Sequence, residues 1–268
     1  MVPTPEPSFF ERFGALVIAI LALVQPWAFY LWKKYFIKGK IDFCETGNIE
    51  IGLSSFAATI GLNGTLVSIN KDQFVSKIHL TLSKVDDNSI HKFEWGFFLG
   101  SKFRLSDLND NVVELPYGFL LSTNAPLRLN IQFWDTNQLA SFRQITNNLG
   151  NDWNRFLEKC YPYEKRRIDT DVNTKTFQLF EEFSKEHEFI NAYSQYKELN
   201  YLKEGDYNLK IIINTARPNN EFTKSFRLKL TKDDCSILNG NILSVCELAC
   251  GQYRFPWKYT YCEYNHLS

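Results

Sequence analysis

Several residue patterns that carry chemistry are missing from this sequence. It contains no glycine-rich phosphate loop and no serine in a nucleophile-elbow pattern, and its carboxylates form no pair with a diagnostic context. Its histidines are His79, His91, His187 and His266, so bases for nucleophilic catalysis are few. A standard enzyme motif is therefore not indicated, and any enzymatic site would have to be assembled from residues far apart in the sequence.

The sequence also lacks an excess of either charge. Lysine plus arginine and aspartate plus glutamate are equal, at 30 each. Since no net field attracts polyanions, a general nucleic-acid-binding function is not expected. The 6 cysteines do not show the dense, regular spacing of a disulfide scaffold, which agrees with a reducing compartment.

A long apolar run is the most conspicuous feature that is present. Residues 13–32, FGALVIAILALVQPWAFYLW, carry no charge and a single amide, Gln25. In a helix they would span about 30 Å, the thickness of the hydrocarbon core of a bilayer. Ser8 and Glu11 form a capping-box pattern before the run. The sequence predicts a short tail and helix start at residues 1–12 and a transmembrane helix at residues 13–32.

Two other readings of this run remain open, a cleaved signal peptide and a buried helix of a soluble domain. The leading segment is acidic, and bulky aromatic residues stand where small residues would precede a cleavage site. Core helices seldom extend for this length without a charge. We therefore prefer the interpretation of residues 13–32 as a membrane anchor.

Aromatic and lysine residues gather at the C-terminal end of the run, as they do at lipid headgroups. The predicted membrane-interface residues are Trp27, Tyr30, Trp32, Lys33, Lys34, Tyr35, Lys38 and Lys40. The N-terminal flank offers Arg12 with two glutamates, so the positive-inside rule places the lysine side in the cytoplasm. We expect the lipid bilayer as a partner, residues 33–46 as a juxtamembrane linker, and residues 47–268 as a soluble cytoplasmic domain.

The period of the apolar residues changes to two after Gly47, which predicts strands. Ala58 to Ile69 alternate around Asn63-Gly64, a dipeptide that favours a tight hairpin turn. A second hairpin is predicted from two alternating runs, Phe74 to Val85 and Phe93 to Phe97, with a turn at Asp86 to Ser89. His79 and His91 are expected on the polar faces of these two strands.

A helical block interrupts the strands at about residues 137–202. Apolar residues recur at three- and four-residue steps from Asn137 to Lys159 and again from Asn173 to Leu202, which predicts two helices. Strands return at Tyr207, which follows Glu204-Gly205-Asp206 in a pattern similar to the tyrosine corner of immunoglobulin-like folds. The predicted fold class is mainly β with α: an immunoglobulin-like antiparallel β-sandwich with a two-helix insertion.

Three stretches resemble uncharacterised bacterial single-span membrane-anchored proteins with a β-sandwich-like domain. They are Ile49-Glu50-Ile51-Gly52 through Phe56, Thr59 to Leu66, and Phe93-Glu94-Trp95-Gly96. The resemblance implies a shared fold and a bacterial source, and hence the bacterial inner membrane as the location. It implies no catalytic residues, because those proteins have no assigned activity.

One group of residues has the chemistry of a metal site. It consists of Cys235, Cys246, Cys250, Cys262 and His266. Thiolates and an imidazole can complete a tetrahedral zinc site, but the spacings are not those of structural zinc motifs, and free cysteines also behave as small buried apolar residues. No cofactor is predicted.

The aromatic tail Phe255 to Tyr261 either packs back onto the domain or forms an interface. Taken together, these observations predict a membrane-anchored binding or interaction protein with a protein partner or a second copy of itself. The alternative is an enzyme or metal-dependent module.

Overall fold

The computed structural model describes residues 9–35, 37–87, 89–101, 111–168, 171–217, 219–252 and 257–267. The first element is helix α1, Phe9–Tyr35, which has Pro26 in its interior. Its described side chains from residue 16 to residue 32 are exposed.

The prediction of a transmembrane helix is corrected by the structure. Among the described residues, no helix combines the length and the apolar character that crossing a membrane requires. The predicted membrane span, the single-pass location in a bacterial inner membrane and the cytoplasmic orientation derived from it therefore have no support.

Twelve strands form one antiparallel sheet in the described part of the chain. Their bounds are β1 (Lys40–Glu45), β2 (Ile49–Ser54), β3 (Ala57–Ile69), β4 (Gln73–Lys84), β5 (Ile90–Ser101), β6 (Asn111–Glu114), β7 (Phe119–Leu121), β8 (Leu127–Asp135), β9 (Gly205–Arg217), β10 (Asn219–Leu230), β11 (Thr260–Cys262) and β12 (Tyr264–His266).

The sheet curls until it is nearly closed. Its order is β11-β2-β3-β8-β5-β4-β9-β10-β12, with β1 also on β3, β6 on β5 and β7 on β4. Strand β11 pairs with β2 at one end of this order, and β12 pairs with β10 at the other. Since only Glu263 separates β11 from β12, the last strands bring the two edges of the sheet together.

The predicted immunoglobulin-like sandwich is therefore wrong. A sandwich has two sheets that face each other, whereas here backbone pairing continues from β3 through β8, β5 and β4 to β9. Apolar residues of these strands, such as Ile60 opposite Phe133 and Leu80 opposite Ile211, belong to one core inside the curved sheet. Alternation along a strand reports which face is buried, but it does not report whether a second sheet or the same sheet covers that face.

The hairpin turn predicted at Asn63-Gly64 is also wrong, because both residues lie inside the long strand β3. The turn that precedes β3 is at Ser55 and Phe56, where Ser54 of β2 pairs with Ala57. Gly64 is explained by packing: a Cβ atom there would lie 2.4 Å from Cζ of Phe43 on β1. In the sequence, a glycine that makes room for a neighbouring side chain looks the same as a glycine that allows a turn.

The second predicted hairpin is confirmed. Strand β4 ends at Lys84, β5 begins at Ile90, and Leu80 pairs with Phe93 across the two strands. His79 lies on the outer face as expected. His91 does not, because it pairs with the buried Leu82 and its side chain contacts Asp135 in the interior.

Five helices follow the first one in the described part of the chain: α2 (Thr136–Cys160), α3 (Tyr163–Ile168), α4 (Val172–Phe183), α5 (His187–Leu199) and α6 (Lys232–Ala249). The helix predicted from Asn137 to Lys159 is confirmed as α2. The second predicted helix is two helices, α4 and α5, which separate at residues 184–186. This break turns Phe189 back onto Phe180 and Phe183, with ring centroids 5.7 and 6.0 Å apart.

The helices form a layer whose buried side chains join the core of the sheet. Leu238, Ile242 and Val245 of α6 are fully buried, and α6 contacts β2 and β11. Burying a large aliphatic side chain stabilises the fold by about 1.5–3 kcal/mol. The layer therefore has the same core as the sheet, and α2 and α5 expose their remaining faces to solvent.

Tyr207 reproduces the local bonding of a tyrosine corner without the sandwich around it. Its hydroxyl donates to the backbone oxygen of Lys203 at 2.8 Å and accepts from the backbone nitrogen of Lys203 at 3.0 Å. The preceding Gly205 has φ +146°, a conformation that favours glycine. The sequence pattern thus predicted the corner correctly, although the fold around the corner is different.

Candidate functional site

Helices α2 and α5 pack side by side in opposite directions. Ser141, early in α2, shares a cavity with Glu198 near the end of α5. Arg155, late in α2, shares a cavity with Glu188 at the start of α5. Because opposite ends of the two helices meet, the helices are antiparallel, and a depression extends along their line of contact.

Three adjoining cavities make this depression continuous. Their volumes are about 350, 290 and 250 Å³ along the direction of α2. Asn148 and Gln195 line both the first and the second cavity, and Arg155 and Glu188 line both the second and the third. We call this depression the α2–α5 groove. From residue 141 to residue 159 it extends for about 27 Å.

Primary amides dominate the middle of the α2–α5 groove. They are Gln144, Asn148, Asn151, Asn191 and Gln195. All are exposed, and none of these amide side chains has a hydrogen bond to another residue in the described ranges. A primary amide offers both donors and acceptors, so these side chains can pair with a ligand that carries both kinds of group.

The floor of the α2–α5 groove is apolar. Ile145 and Leu149 of α2 and Ala192 of α5 line it, and they are 8%, 1% and 7% exposed. Charged residues are concentrated at the far end, where Asp152 and Arg155 are paired at 3.3 Å beside Glu186, Glu188 and Lys159. The groove thus combines an apolar floor, amide walls and one end of mixed charge.

The two walls are tied together where α2 begins and α5 ends. The Oδ1 atom of Asp135 accepts from the backbone nitrogens of Asn137 at 2.9 Å and Gln138 at 3.3 Å, which caps α2. The side chain of Gln138 donates to the backbone oxygen of Leu199, the last residue of α5, at 2.7 Å. These bonds fix the spacing of the two helices at this end of the groove.

A second contact joins the same carboxylate to the sheet. Tyr201, just after α5, donates its hydroxyl to Oδ2 of Asp135 at 2.9 Å. The Nδ1 atom of His91 lies 3.7 Å from the same oxygen, and the rings of His91 and Tyr201 are stacked with centroids 3.3 Å apart. Asp135 therefore connects β5, α2 and the segment after α5.

The pKa values of these groups follow from their surroundings. Burial of Asp135 acts to raise the pKa of its carboxyl, but the neighbouring His91 and hydrogen bonds from Tyr201 and two backbone amides outweigh burial and lower the pKa below its usual 3.8. Burial raises the pKa of Tyr201 well above its usual value, and the neighbouring Asp135 charge adds to this. Near neutral pH the pair is a charged carboxylate and a neutral phenol.

A histidine beside a buried carboxylate is also the arrangement of a base and its orienting group. Here Oδ1 of Asp135 holds the N-terminus of α2, and a face of the His91 ring is covered by Tyr201. The contacts of Asp135 and His91 hold the start of α2 and the segment after α5 in place, so they position the two walls of the α2–α5 groove.

The predicted membrane-interface residues do not converge on a site. Trp27, Tyr30 and Trp32 are exposed on α1. Lys38 and Lys40 are exposed where the chain enters β1. The side chains of Lys33, Lys34 and Tyr35 lie outside the described part of the structure.

The candidate metal ligands are spread over the last part of the chain. Cys235 and Cys246 are on α6, Cys250 follows the last residue of α6, Cys262 is on β11 and His266 is on β12. Burial raises the pKa of the Cys246 and Cys262 thiols to about 12 and also raises that of Cys250, whereas zinc ligation requires thiolates. His266 instead approaches Glu45, with Nε2 2.6 Å from Oε1. Among the described residues, no group of three or more histidine, cysteine, aspartate or glutamate side chains is placed to hold a metal ion.

Comparisons of the chain with protein-family models, with curated proteins and with solved structures find no match. The resemblance to bacterial membrane-anchored proteins therefore stays a prediction.

Sequence reasoning did not identify the α2–α5 groove. One signal was present: Ser141, Gln144, Asn148 and Asp152 recur at three- and four-residue steps, which places them on one face of α2. The same spacing is found on ordinary solvated helix faces, so it becomes informative only when α5 is known to lie alongside.

Proposed function

We propose that this chain is a binding protein whose α2–α5 groove holds an extended segment of a partner polypeptide. The observation that supports this proposal is the row of unpaired amides above an apolar floor, continuous over three cavities. Main-chain N–H and C=O groups of the segment would pair with the amides, and an apolar side chain of the segment would lie on Ile145 and Leu149.

The shape of the groove favours a polypeptide over a small molecule. Small-molecule sites are concave and enclose most of the ligand. The α2–α5 groove is open to solvent along about 27 Å, a length suited to an elongated ligand. At its mixed-charge end, Arg155 lies beside Asp152 and Glu188, so this end can form ion pairs with acidic or basic side chains of the segment.

The first experiment selects peptides from a random 12-residue display library against the full-length chain and measures affinity by fluorescence polarisation. The test variant is Asn148→Ala/Asn191→Ala. Since a hydrogen bond contributes on the order of 1 kcal/mol, we expect the double variant to bind selected peptides roughly 10-fold more weakly or worse. The matched control is Asn147→Ala, which removes an exposed amide of α2 outside the groove.

Two outcomes contradict the proposal. One is the absence of any peptide that binds the unaltered chain saturably. The other is equal affinity of the selected peptides for the unaltered chain and for Asn148→Ala/Asn191→Ala, with unfolding transitions that match.

A further inference from the structure

The outer face of the sheet carries a second built surface, remote in sequence from the α2–α5 groove. Backbone pairing aligns Gln132 of β8 with Gly61 of β3, Gly61 with Glu50 of β2, and Glu50 with Tyr261 of β11. At about 4.8 Å per strand this row is about 14 Å wide. We call it, with the parallel row from Trp134 through Thr59 to Gly52, the outer platform.

The floor of the outer platform is polar and only partly satisfied. The carboxylate of Glu50 accepts long hydrogen bonds from Asn63 at 3.5 Å and from Gln132 at 3.4 Å. Gln132 is 6% exposed and Thr59 is 7% exposed, yet the Thr59 hydroxyl has no hydrogen-bond partner among the described residues. The carboxylate of Glu50 is only partly buried and has just these two long bonds among the described residues, so it retains capacity to accept hydrogen bonds from a ligand.

Aromatic rings stand at both ends of the outer platform. At one end Phe56, 40% exposed, stacks on Trp134 with centroids 5.1 Å apart and planes at 21°. At the other end Tyr261 is 59% exposed. The ring of Tyr259 lies directly over Gly52, where an added Cβ would be 2.7 Å away.

Glycine makes these ring positions possible. The ring of Trp134 lies against Gly96 of β5, with 2.7 Å between its nearest atom and a Cβ built there. Any side chain at position 52 or 96 would lift the ring above it from the sheet. Tyr259 and Trp134 can therefore lie close to the sheet beside the polar floor, and Phe56 covers the Trp134 ring.

We propose that the outer platform binds a neutral oligosaccharide. A pyranose ring has one face rich in C–H groups and a rim of hydroxyls. The negative face of an aromatic ring attracts the C–H face, and carboxylate, amide and hydroxyl groups pair with the rim. The two rows contain no lysine or arginine, and Glu50 repels anions, so a phosphate, a nucleic acid or an acidic sugar does not fit.

The experiment applies the full-length chain to an array of neutral, sialylated and sulfated oligosaccharides and measures the affinity of neutral hits by calorimetry. We expect saturable binding to neutral members. Tyr261→Ala and Glu50→Ala should each weaken binding at least 10-fold. The matched control is Tyr163→Ala, which removes an exposed tyrosine of α3 (64% exposed) and should leave binding unchanged.

Binding confined to sialylated or sulfated members, or no binding to the array, overturns the proposal. So does binding that Tyr261→Ala and Glu50→Ala leave intact. The Asn148→Ala/Asn191→Ala variant should bind the oligosaccharide as the unaltered chain does, because its substitutions lie on the helical layer. Failure of the peptide proposal and failure of this one are therefore separable.

Discussion

Asp135 shows how one residue can connect separate parts of this fold. It ends β8, caps α2, accepts from Tyr201 and lies beside His91. Its side chain has no exposed surface, so the charge is stable there only because hydrogen bonds replace water. Loss of that charge would weaken the junction between the sheet and the groove helices.

The lowered pKa of Asp135 predicts a pH dependence of stability. Because the folded pKa lies below the usual 3.8, the unfolded state binds more protons at acidic pH. The stabilisation is fully present above the unfolded pKa and is lost as the pH falls through the folded pKa. We expect Asp135→Asn to lower the free energy of unfolding by about 1–2 kcal/mol near neutral pH and to flatten its fall in acid, measured by urea unfolding at a series of pH values.

Tyr201→Phe is the matched variant for this prediction. It removes the hydroxyl that donates to Oδ2 of Asp135 and leaves the caps on Oδ1 intact. We expect about 1 kcal/mol of lost stability. If Asp135→Asn retained the full acid slope of the unaltered chain, Asp135 would not be its source.

At the scale of elements, the turn between β2 and β3 carries local strain. Ala57 follows Ser55 and Phe56 and has φ +66°, in the left-handed region that non-glycine residues seldom adopt. The left-handed conformation costs such residues roughly 1–2 kcal/mol, whereas glycine adopts it freely.

Replacing Ala57 should therefore stabilise the protein. We expect Ala57→Gly to raise the free energy of unfolding by up to about 1 kcal/mol, since relief of strain exceeds the extra entropy that glycine loses on folding. The control is Ala58→Gly, because Ala58 is next along the strand and also buried but has no positive φ. This variant should lower the free energy of unfolding by about 0.5–1 kcal/mol. Thermal and urea unfolding measure both changes. Equal effects of the two substitutions would show that the backbone at Ala57 is not strained.

The elements that sequence predicted well are those set by local periodicity. The hairpin of β4 and β5 and the long helix α2 have alternating or helical patterns over many residues, and the structure has them. The turn at Asn63-Gly64 was mispredicted because Gly64 makes room for Phe43, a residue on another strand. The groove could not be predicted either, because α3 and α4 separate its two walls in the sequence and only the packing of α2 against α5 creates it.

At the scale of the whole molecule, ion pairs link β1 to β10 along the gap between them. The Nζ atom of Lys224 on β10 lies 2.9 Å from Oε2 of Glu45 on β1 and donates to the backbone oxygen of Phe43 at 2.6 Å. His266 of β12 approaches the other oxygen of the same carboxylate. Strands 181 residues apart in sequence are thus connected by side chains.

Removing Lys224 should loosen this connection. We expect Lys224→Met to lower the free energy of unfolding by roughly 1–2 kcal/mol, between the values for surface and for buried pairs, because the lysine is 27% and Glu45 11% exposed. Faster hydrogen exchange of β1 amides should accompany the loss. The control is Lys229→Met, an exposed lysine of the same strand, and matching behaviour of the two variants would count against the role of the pair.

The near closure of the sheet also constrains how the chain can reach its native state during translation. The segment from residue 260 to residue 266 pairs with β2 on one side and with β10 on the other. Until a ribosome has released this segment, the strands made earlier have two unpaired edges, which are open to other chains in the cell. Protection of a nascent chain by chaperones is therefore needed most between the synthesis of β10 and the pairing of residues 260–266 with both edges.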